Sequence, residues 1–468
     1  MRSSAASDVY KRQIFIFIIT LAFFGGLALF TFRICTNAGG WIQQNYNGHI
    51  SGSGGLEQAG IMYDRNGKVM AQSKDGKRYY NDDLNTRLAT LHVVGDNSLN
   101  ISTAVQSMYR SDLLGFDYIW GLEMPPSFRG GNSLTLTIDA DVCRTAYEAL
   151  NGAHGAVVVF NYKTGEIICN VSSTTYDPQD PPEITEDNED QYKGAYLNRV
   201  LSSTYTPGST FKLVTAAAAI DYLPDVFDKT FTCNGGVVIN GEEISCMSHH
   251  GEINFRDGLA QSCNVVFAEL AVEIGKEKMT EEANKIGITQ SFNVGNTPTV
   301  KGKYDVSKAQ DNDLGWSGIG QYTDLANPMQ MAIMCGAVAN HGQSVQPYFV
   351  SDIYKGDFSP VRAPGASADR ELLSRNTADT LNEMMRYTVT SNYGDGMFPS
   401  LEVCAKTGTA EVGDPDSNDA WMVGFSRDED APLAFAVVVE KGSLGYSTAG
   451  PVAVAAMEAA AASLRGQD

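Results

Sequence analysis

A 19-residue segment without charge, Ile14–Phe32, restricts the chain more than any other feature. At about 1.5 Å per residue, a helix of this length crosses the hydrocarbon core of a bilayer. Lys11 and Arg12 precede the segment and Arg33 follows it. The alternative is a cleaved signal peptide, whose apolar region is usually about 7–15 residues and ends in small residues. We therefore predict an uncleaved membrane anchor.

The basic residues before the anchor predict the topology of the chain. Arg2, Lys11 and Arg12 favour a cytoplasmic N-terminus by the positive-inside rule. Residues 1–13 are then a cytoplasmic tail, residues 14–32 span the membrane, and the rest of the chain lies outside. Residues 80–128 mix short polar and apolar stretches without strong periodicity, whereas regular strand and helix patterns begin just after residue 131. We therefore divide the remainder into a small α+β unit, residues 33–131, and one large α/β domain, residues 132–468.

Charge and composition exclude several classes of function. The chain has 468 residues, with 34 Lys and Arg against 55 Asp and Glu, for a net charge of −21. An acidic chain without a basic stretch repels phosphate, so we expect no nucleic-acid partner. Eight cysteines are too few for a disulfide scaffold. No CxxC or HExxH motif is present, so no metal or other cofactor is expected.

The apolar pattern predicts a sheet built from distant segments. Asn66-Gly67 indicates a hairpin turn in the small unit. Strands and helices of the large domain are predicted at 133–138 (strand), 139–150 (helix), 156–160, 166–169, 402–405, 421–425 and 433–439 (strands), and 452–464 (helix). The run at 433–439 is continuous and rich in Val, which is typical of a strand covered on both faces.

Ser209 and Lys212 form the only Ser-x-x-Lys in the chain. Pro207 and Gly208 precede the pair, and the Ala-rich run that follows predicts a helix beginning at this point. On a helix, residues three apart lie on one face. A Ser hydroxyl becomes a good nucleophile when a base takes its proton, and a desolvated Lys can be that base. Ser209 is therefore a candidate nucleophile.

Two further motifs follow in chain order. Ser262 and Asn264 frame Cys263, and a second hydroxyl and a carboxamide can relay a proton and hold a substrate amide. Lys406-Thr407-Gly408-Thr409 follows the strand predicted at 402–405. A Lys, two hydroxyls and a Gly at a strand end can bind a carboxylate, because Gly lets a backbone approach closely.

Ser-x-Asn and Lys-Thr-Gly also occur elsewhere in the chain, in places less suited to an active site. Ser98 and Asn100 lie in the small unit, far upstream of Ser209, and Ser374 reads as a plain helix start. Lys163-Thr164-Gly165 lies in a predicted hairpin turn before the Ser. The ordered set of Ser-x-x-Lys, Ser-x-Asn and Lys-Thr-Gly is much more specific than any member, and it matches a known serine acyl-transfer signature.

With these motifs the chain resembles the class B penicillin-binding proteins, monofunctional peptidoglycan D,D-transpeptidases, in particular short members of Gram-positive type. The resemblance extends from Tyr63–Gly67 to Ala405–Glu411. It implies a penicillin-binding/β-lactamase-like α/β (α+β) domain with a five-stranded antiparallel-type sheet flanked by helices. A membrane helix and a small α+β pedestal, or dimerisation-like domain, would precede it. We expect no appended C-terminal repeat domain.

The resemblance also implies a role for each motif residue. Ser209 would attack the penultimate D-Ala carbonyl of a stem peptide, Lys212 would take its proton, and Ser262 would pass a proton to the leaving D-Ala. Asn264 would hold the peptide amide. Lys406 would keep the site electropositive, Thr407 and Thr409 would grip the terminal carboxylate beside Gly408, and the N–H groups of Ser209 and Thr409 would form the oxyanion hole. β-Lactams would trap Ser209.

The remaining cysteines and histidines have plainer interpretations. Cys263 is expected to be a small packed side chain, and the adjacent His249 and His250 are expected to be structural. Cys233 and Cys246 flank a probable hairpin, and both a disulfide and two free thiols are open. The sequence leaves open whether Gly320, Gln321 and Trp421 line the cleft.

The sequence leaves two alternative functions open, and the resemblance implies one partner protein. A β-lactamase or β-lactam sensor on the same fold would need a second base for fast hydrolysis, and the sequence shows no clear one. The other alternative is a non-catalytic scaffold of the division or elongation machinery. Such a scaffold would not require the three motifs, and the fact that all three are intact disfavours it. The resemblance also implies a partner, a membrane-embedded glycan polymerase of the shape, elongation, division and sporulation family, in contact with the pedestal.

Overall fold

The computed structural model describes residues 2–42, 56–115, 131–355, 360–362, 368–412 and 414–466. The first element is a long helix, α1 (Arg2–Ile42). Within it, Val9–Ile34 is apolar enough to cross a membrane, with a mean hydropathy of 2.5 and no buried side chains. This segment contains the predicted span and fits a single-pass membrane anchor. Two parts of the expected pedestal, residues 43–55 and 116–130, lie outside the described residues.

The strands, in chain order, are β1 (Met62–Tyr63), β2 (Val69–Lys74), β3 (Lys77–Tyr80), β4 (Ser133–Leu136), β5 (Gly155–Asn161), β6 (Ile167–Ser173), β7 (Thr230–Cys233), β8 (Gly236–Ile239), β9 (Glu242–Ser245), β10 (Gly251–Asn254), β11 (Asn293–Val294), β12 (Thr297–Pro298), β13 (Gln343–Val345), β14 (Val350–Tyr354), β15 (Pro360–Arg362), β16 (Ala368–Glu371), β17 (Val403–Val412), β18 (Asp414–Ser426) and β19 (Leu433–Gly442).

The remaining helices are α2 (Leu84–Val94), α3 (Val105–Met108), α4 (Arg110–Leu113), α5 (Ala140–Leu150), α6 (Arg199–Ser202), α7 (Lys212–Tyr222), α8 (Phe255–Ala260), α9 (Asn264–Ile274), α10 (Lys276–Ile286), α11 (Asp311–Gly318), α12 (Pro328–Ala339), α13 (Arg375–Thr388) and α14 (Gly445–Arg465).

A five-stranded sheet forms the centre of the large domain. Its order is β17-β18-β19-β5-β6, and every neighbouring pair is antiparallel. All residues of β5 and β6 and the first seven of β19 are buried, because helices cover both faces. α12 packs against β18, β19 and β5, whereas α14 packs on the same sheet together with α5. The predicted five-stranded antiparallel sheet assembled from distant segments is confirmed.

A second, six-stranded sheet lies toward the N-terminal side, in the order β15-β14-β4-β1-β2-β3. The predicted hairpin is present as β1 and β2, and Gly67 adopts φ +81° in its turn. β1 pairs in parallel with β4, so the sheet contains strands from both sides of the expected boundary at residue 131. That boundary itself stays a prediction.

Of two local expectations at the motifs, one is confirmed and one is wrong in detail. Ser209 lies at a helix N-terminus, as the sequence predicts, in a 3₁₀ turn, Gly208–Phe211, that leads directly into α7 at Lys212. The tighter turn still places Ser209 and Lys212 one turn apart. Lys406–Thr409 was expected after a strand, but β17 continues through it to Val412.

Asp139 connects three distant parts of the fold. It caps α5 by accepting the N–H groups of Asp141 and Val142. Its second oxygen accepts Asn66 Nδ2–H at 2.8 Å and the Ser463 hydroxyl at 2.6 Å, so the first hairpin and α14 meet at one buried carboxylate.

Asp139→Ala is therefore expected to lower the free energy of unfolding by about 2 kcal/mol, since the capping bonds of α5 and the hydrogen bonds from Asn66 and Ser463 are all lost. Thermal unfolding of the full chain in detergent measures the effect. Asp141→Ala, on the same helix with a half-exposed side chain, is the control and should cost less than about 1 kcal/mol. Equal effects of the two substitutions would contradict this role of Asp139.

Candidate active site

The turn that carries Ser209 is held by interlocking glycines. Gly208 has φ +51° and donates its N–H to Gly320 O at 2.9 Å. A Cβ on Gly320, which has φ +78°, would lie 2.1 Å from Gly208 O, and a Cβ on Gly208 would lie 2.5 Å from Thr409 O. Side chains at these positions would therefore separate the segments, so glycine is required for the Ser209 turn to contact β17.

Lys212 places its amine at the centre of the site. Its Nζ is 3.0 Å from Ser209 Oγ, 2.7 Å from Ser262 O and 2.7 Å from Asn264 Oδ1. A longer contact of 3.2 Å reaches Ser262 Oγ. The side chain is fully buried, and this desolvation lowers the pKa of Lys212 to about 7, against the opposing influence of Cys246 and Cys263.

The geometry around this nitrogen decides which neighbour can exchange a proton with it. The carbonyl oxygens of Ser262 and Asn264 can only accept, so they take two N–H bonds of Lys212. A neutral amine has one lone pair left, and Ser209 Oγ at 3.0 Å is the nearer of the two hydroxyls available to it. Neutral Lys212 is therefore placed to accept the Ser209 proton.

Ser262 lies between two lysines. Its Oγ is 3.0 Å from Lys406 Nζ as well as 3.2 Å from Lys212 Nζ. Ser262 has φ +57°, an uncommon conformation for a residue other than glycine, and such backbone strain is concentrated at functional sites. The strained turn directs both its carbonyl and its hydroxyl to the Lys212 amine.

Lys406 is also fully buried, on β17. Its Nζ contacts Ser262 Oγ and Thr407 O, each at 3.0 Å. Burial, and then the nearby Lys212, lower the pKa of Lys406 well below its usual range. Among the described residues, the hydrogen-bond partners of the two amines are hydroxyl, carbonyl and amide oxygens, not carboxylates. The site therefore resists holding two positive charges until an anion enters it.

Strand β17 forms the edge of the central sheet and one wall of the site. Tyr393, in a π-helical turn after α13, is half-buried, and its hydroxyl accepts the Thr407 N–H at 3.0 Å. The same hydroxyl is 2.9 Å from Thr407 Oγ1, and Gly445 N–H donates to Thr409 Oγ1 at 3.1 Å. Tyr393 is a site residue that sequence reasoning missed, because no motif marks it and it lies 14 positions from Thr407.

A cleft of about 620 Å³ opens over these groups. It is lined by six of the motif residues, Ser209, Ser262, Asn264, Thr407, Gly408 and Thr409. The other lining residues are Ser245, Cys246, Met247, Ser248, His250, Gln261, Trp316, Ile319, Gln321, Tyr322, Glu411, Asn418, Leu444, Gly445 and Tyr446. All eight residues of the three motifs therefore meet at one place, with Lys212 and Lys406 buried behind the lining.

The structure also locates two residues whose position in the cleft the sequence left open, and the other copies of the short motifs. Gln321 lines the cleft, whereas Trp421 is buried in the sheet and donates its indole N–H to Thr206 O. Lys163-Thr164-Gly165 forms the turn between β5 and β6, and Ser374 caps α13. Cys233 and Cys246 are free cysteines.

Comparison with protein families gives one extended match. The model of the penicillin-binding protein transpeptidase domain matches residues 155–458, which include every motif described above.

Similar proteins and structures agree with this match. Peptidoglycan D,D-transpeptidase PbpA of Mycolicibacterium smegmatis is 29% identical over 374 residues, covering 71% of this chain and 73% of the relative. The D,D-transpeptidase domain of a peptidoglycan glycosyltransferase from Eggerthella lenta has a TM-score of 0.73 at 26% identity, covering 87% of this chain and 99% of that chain. A ceftriaxone acyl-enzyme complex of Mycobacterium tuberculosis penicillin-binding protein A has a TM-score of 0.77 at 24% identity, covering 87% and 100%. This last similarity is evidence of a shared fold.

The glycine contacts make a direct prediction. Gly320→Ala should push the Gly208 carbonyl away from its place and force a strained φ, so both the melting temperature and the reactivity of Ser209 should fall. Gly396→Ala is the control, since a Cβ there meets no atom within 4 Å and its φ is ordinary. Thermal unfolding and labelling of Ser209 by penicillin measure the two effects. Unchanged labelling in Gly320→Ala would show that the turn does not depend on this contact.

Proposed function

The chain belongs to the class B penicillin-binding proteins, and we propose that it is a peptidoglycan D,D-transpeptidase of cell-wall synthesis that cross-links stem peptides through an acyl-enzyme on Ser209. The observation that carries this proposal is the meeting of Ser209, Lys212, Ser262 and Lys406 within hydrogen-bond distance in one cleft.

Acylation begins with proton transfer from Ser209 to Lys212. With a pKa near 7, part of the Lys212 population is neutral at physiological pH. Its lone pair takes the Ser209 proton as Oγ attacks the carbonyl carbon of the penultimate D-Ala, and the carbonyl π pair moves to oxygen. The backbone N–H groups of Ser209 and Thr409 stabilise that oxyanion, whose charge appears only in the transition state.

Collapse of this intermediate breaks the bond to the terminal D-Ala. The leaving nitrogen needs a proton, and Ser262 Oγ is the hydroxyl that contacts both lysines. Ser262 gives its proton to the leaving amine and regains one from protonated Lys212. Lys212 is thereby neutral again, and the acyl group remains on Ser209. The amine of a second stem peptide then attacks the ester, with the same groups returning the protons in reverse.

Substrate binding uses the outer edge of the sheet. Among the described residues β17 has no strand partner on that edge, so an extended peptide can add alongside it. Thr407 and Thr409 would bind the terminal carboxylate beside Gly408, and Asn264 would hold the peptide amide. The anion would also favour the protonated form of the buried Lys406, whose pKa is lowered by burial.

The rival enzyme, a β-lactamase, has less support. Rapid hydrolysis needs a base that activates water next to the ester. Among the described residues that line the cleft, Glu411 is the one carboxylate, and it is exposed on β17 beyond Thr409. A scaffold without activity is disfavoured too, because it would not need two buried lysines aligned on one hydroxyl.

The anchor supports a cellular setting for this activity. The N-terminus is cytoplasmic, the 33–131 unit forms a pedestal, and the 132–468 domain works outside the membrane. A monofunctional transpeptidase acts on glycan strands made by another enzyme, so we propose that the pedestal contacts a membrane-embedded glycan polymerase of the shape, elongation, division and sporulation family. Co-elution of the full chain with such a polymerase in detergent tests this partner.

Intact mass spectrometry of the full chain with penicillin tests the nucleophile. Wild type should gain one penicillin mass that persists, because deacylation is slow without a second base. Ser209→Ala should gain none, whereas Ser374→Ala, the control at a helix cap, should react as wild type does. An adduct lost within seconds would identify a β-lactamase, and no adduct on folded wild type would refute the acyl-enzyme mechanism.

The acylation rate should also depend on pH in one direction. Below about pH 7 Lys212 is protonated and cannot take the Ser209 proton, so the rate should fall about tenfold per pH unit on the acid side and level off above pH 7. Stopped-flow measurements with a chromogenic β-lactam give this profile. Lys212→Arg, which stays protonated, should be slow at every pH. A wild-type rate independent of pH between 5 and 9 would rule out Lys212 as the base.

A further inference from the structure

Four side chains that the reaction does not use converge beside the Ser262 motif. They are Cys233, Cys246, His250 and Cys263, and their sulfur and nitrogen atoms all lie within 4.8 Å of one another. Cys233 and Cys263 are buried, and Cys246 and His250 are half-buried. Each comes from a different place: the end of β7, the residue after β9, the residue before β10, and the N-cap of α9.

The spacing of these atoms fits a tetrahedral ion. His250 Nδ1 is 3.4 Å from Cys233 Sγ and 3.6 Å from Cys246 Sγ. With zinc–sulfur bonds of about 2.3 Å and zinc–nitrogen bonds of about 2.0–2.1 Å, tetrahedral geometry requires sulfur–nitrogen separations of about 3.6 Å. The ring nitrogen therefore already stands at the correct separation from two of the three sulfurs.

We infer that Cys233, Cys246, His250 and Cys263 bind one structural zinc ion that holds the Ser262-Cys263-Asn264 segment in place. Three soft thiolates and an imidazole are a typical donor set for structural zinc, and they disfavour magnesium or calcium. Four protein ligands complete the coordination, so the ion has no open position for water or substrate. Binding requires the three thiols to lose their protons to solvent.

The surrounding structure explains what the ion would hold. The ribbons β7–β10 and β8–β9 each have two strands, and most residues of β8 and β9 are at least partly exposed. A two-stranded ribbon is marginally stable by itself. Each ribbon contributes few buried apolar side chains to the core, Phe231 and Ile253 from β7–β10 and Ile244 from β8–β9. The four ligands lie at the ends of these ribbons and at α9, so one ion joins the three elements, and its coordination energy adds to this small apolar contact.

The cluster is also connected to the reacting groups. Cys263 is the residue between Ser262 and Asn264, and Asn264 donates its N–H to Cys246 Sγ at 3.4 Å. Asn264 Nδ2 donates to the carbonyl of Ser245, the neighbour of Cys246, at 2.8 Å. Since Asn264 Oδ1 and Ser262 O fix the Lys212 amine, loss of the ion would loosen the geometry on which proton transfer depends.

The main competing state is a disulfide between Cys233 and Cys246, which an oxidising environment outside the membrane would favour. A bound metal protects thiolates from that reaction by occupying their lone pairs. Cys246 and His250 also line the cleft, so the ion is within reach of chelators. The two states are therefore distinguishable on the intact protein.

Metal content of the full chain tests the site. Protein purified in detergent under reducing conditions, without chelator or a metal-affinity column, should contain close to one zinc per chain by plasma mass spectrometry. Cobalt(II), exchanged for zinc, should give the thiolate-to-metal charge-transfer band and visible bands of a tetrahedral thiolate site. His250→Ala and Cys246→Ser should lose most of the zinc. His249→Ala, at the exposed neighbouring position, should keep it.

The opposite results would overturn the inference. Wild type that stays free of zinc after addition of zinc chloride, or a Cys233–Cys246 disulfide in the reduced preparation, excludes the site. Equal zinc in wild type and His250→Ala marks the metal as adventitious. Because the variants can fail to fold, the melting temperature of wild type with and without chelator is measured as well, and an unchanged value contradicts a structural ion.

The positioning role rests on the proposed function and has its own readout. Removing zinc from wild type should slow penicillin acylation, by up to about 100-fold if the site shifts by about 1 Å, and added zinc should restore the rate. Stoichiometric zinc with an unchanged acylation rate would contradict the positioning role. No acylation in either state would refute the Ser209 mechanism, while the zinc content would still decide the metal site.

Discussion

The chemistry proposed for this protein depends on two lysine amines buried side by side over one serine hydroxyl. Lys212 and Lys406 are fully buried, and Ser262 Oγ lies within 3.2 Å of both. Among the described residues no carboxylate is a hydrogen-bond partner of either amine. Burial lowers the pKa of both lysines, and the nearby Lys212 lowers that of Lys406 further. One amine is thereby kept available as a base at neutral pH, and the pair together is suited to receive an anionic substrate.

The rest of the fold keeps these amines dry and aligned. The Ser209 turn contacts Gly320 and β17 so closely that a single added methyl group would separate them. β17 is an edge strand, so it can present Lys406 to the interior and its backbone to a peptide at the same time. The Tyr393 hydroxyl accepts the Thr407 N–H and so holds the backbone of β17 at this point. The covered central sheet supplies the rigidity that this arrangement requires.

The side of the site formed by Ser262 and Asn264 is built differently. This wall of the cleft consists of two small ribbons, in which most residues of β8 and β9 are at least partly exposed, and the start of α9. The proposed zinc ion would give this wall the rigidity that the sheet gives to the other. The Lys212 amine, which takes hydrogen-bond partners from Ser262 and Asn264, would then be held from both sides.

Local sequence determined a large part of this structure. The apolar run, the Asn66-Gly67 hairpin, the Val-rich strand and the three motifs follow from short-range chemistry, and all eight motif residues meet in one cleft. Tertiary structure alone decided the 3₁₀ turn at Ser209 and the continuation of β17 through Lys406, since neighbouring strands and glycine contacts select those conformations. It also brought in Tyr393 and gathered Cys233, Cys246, His250 and Cys263. Such sets come from separate segments with no fixed spacing, so only long-range packing brings their atoms within bonding distance.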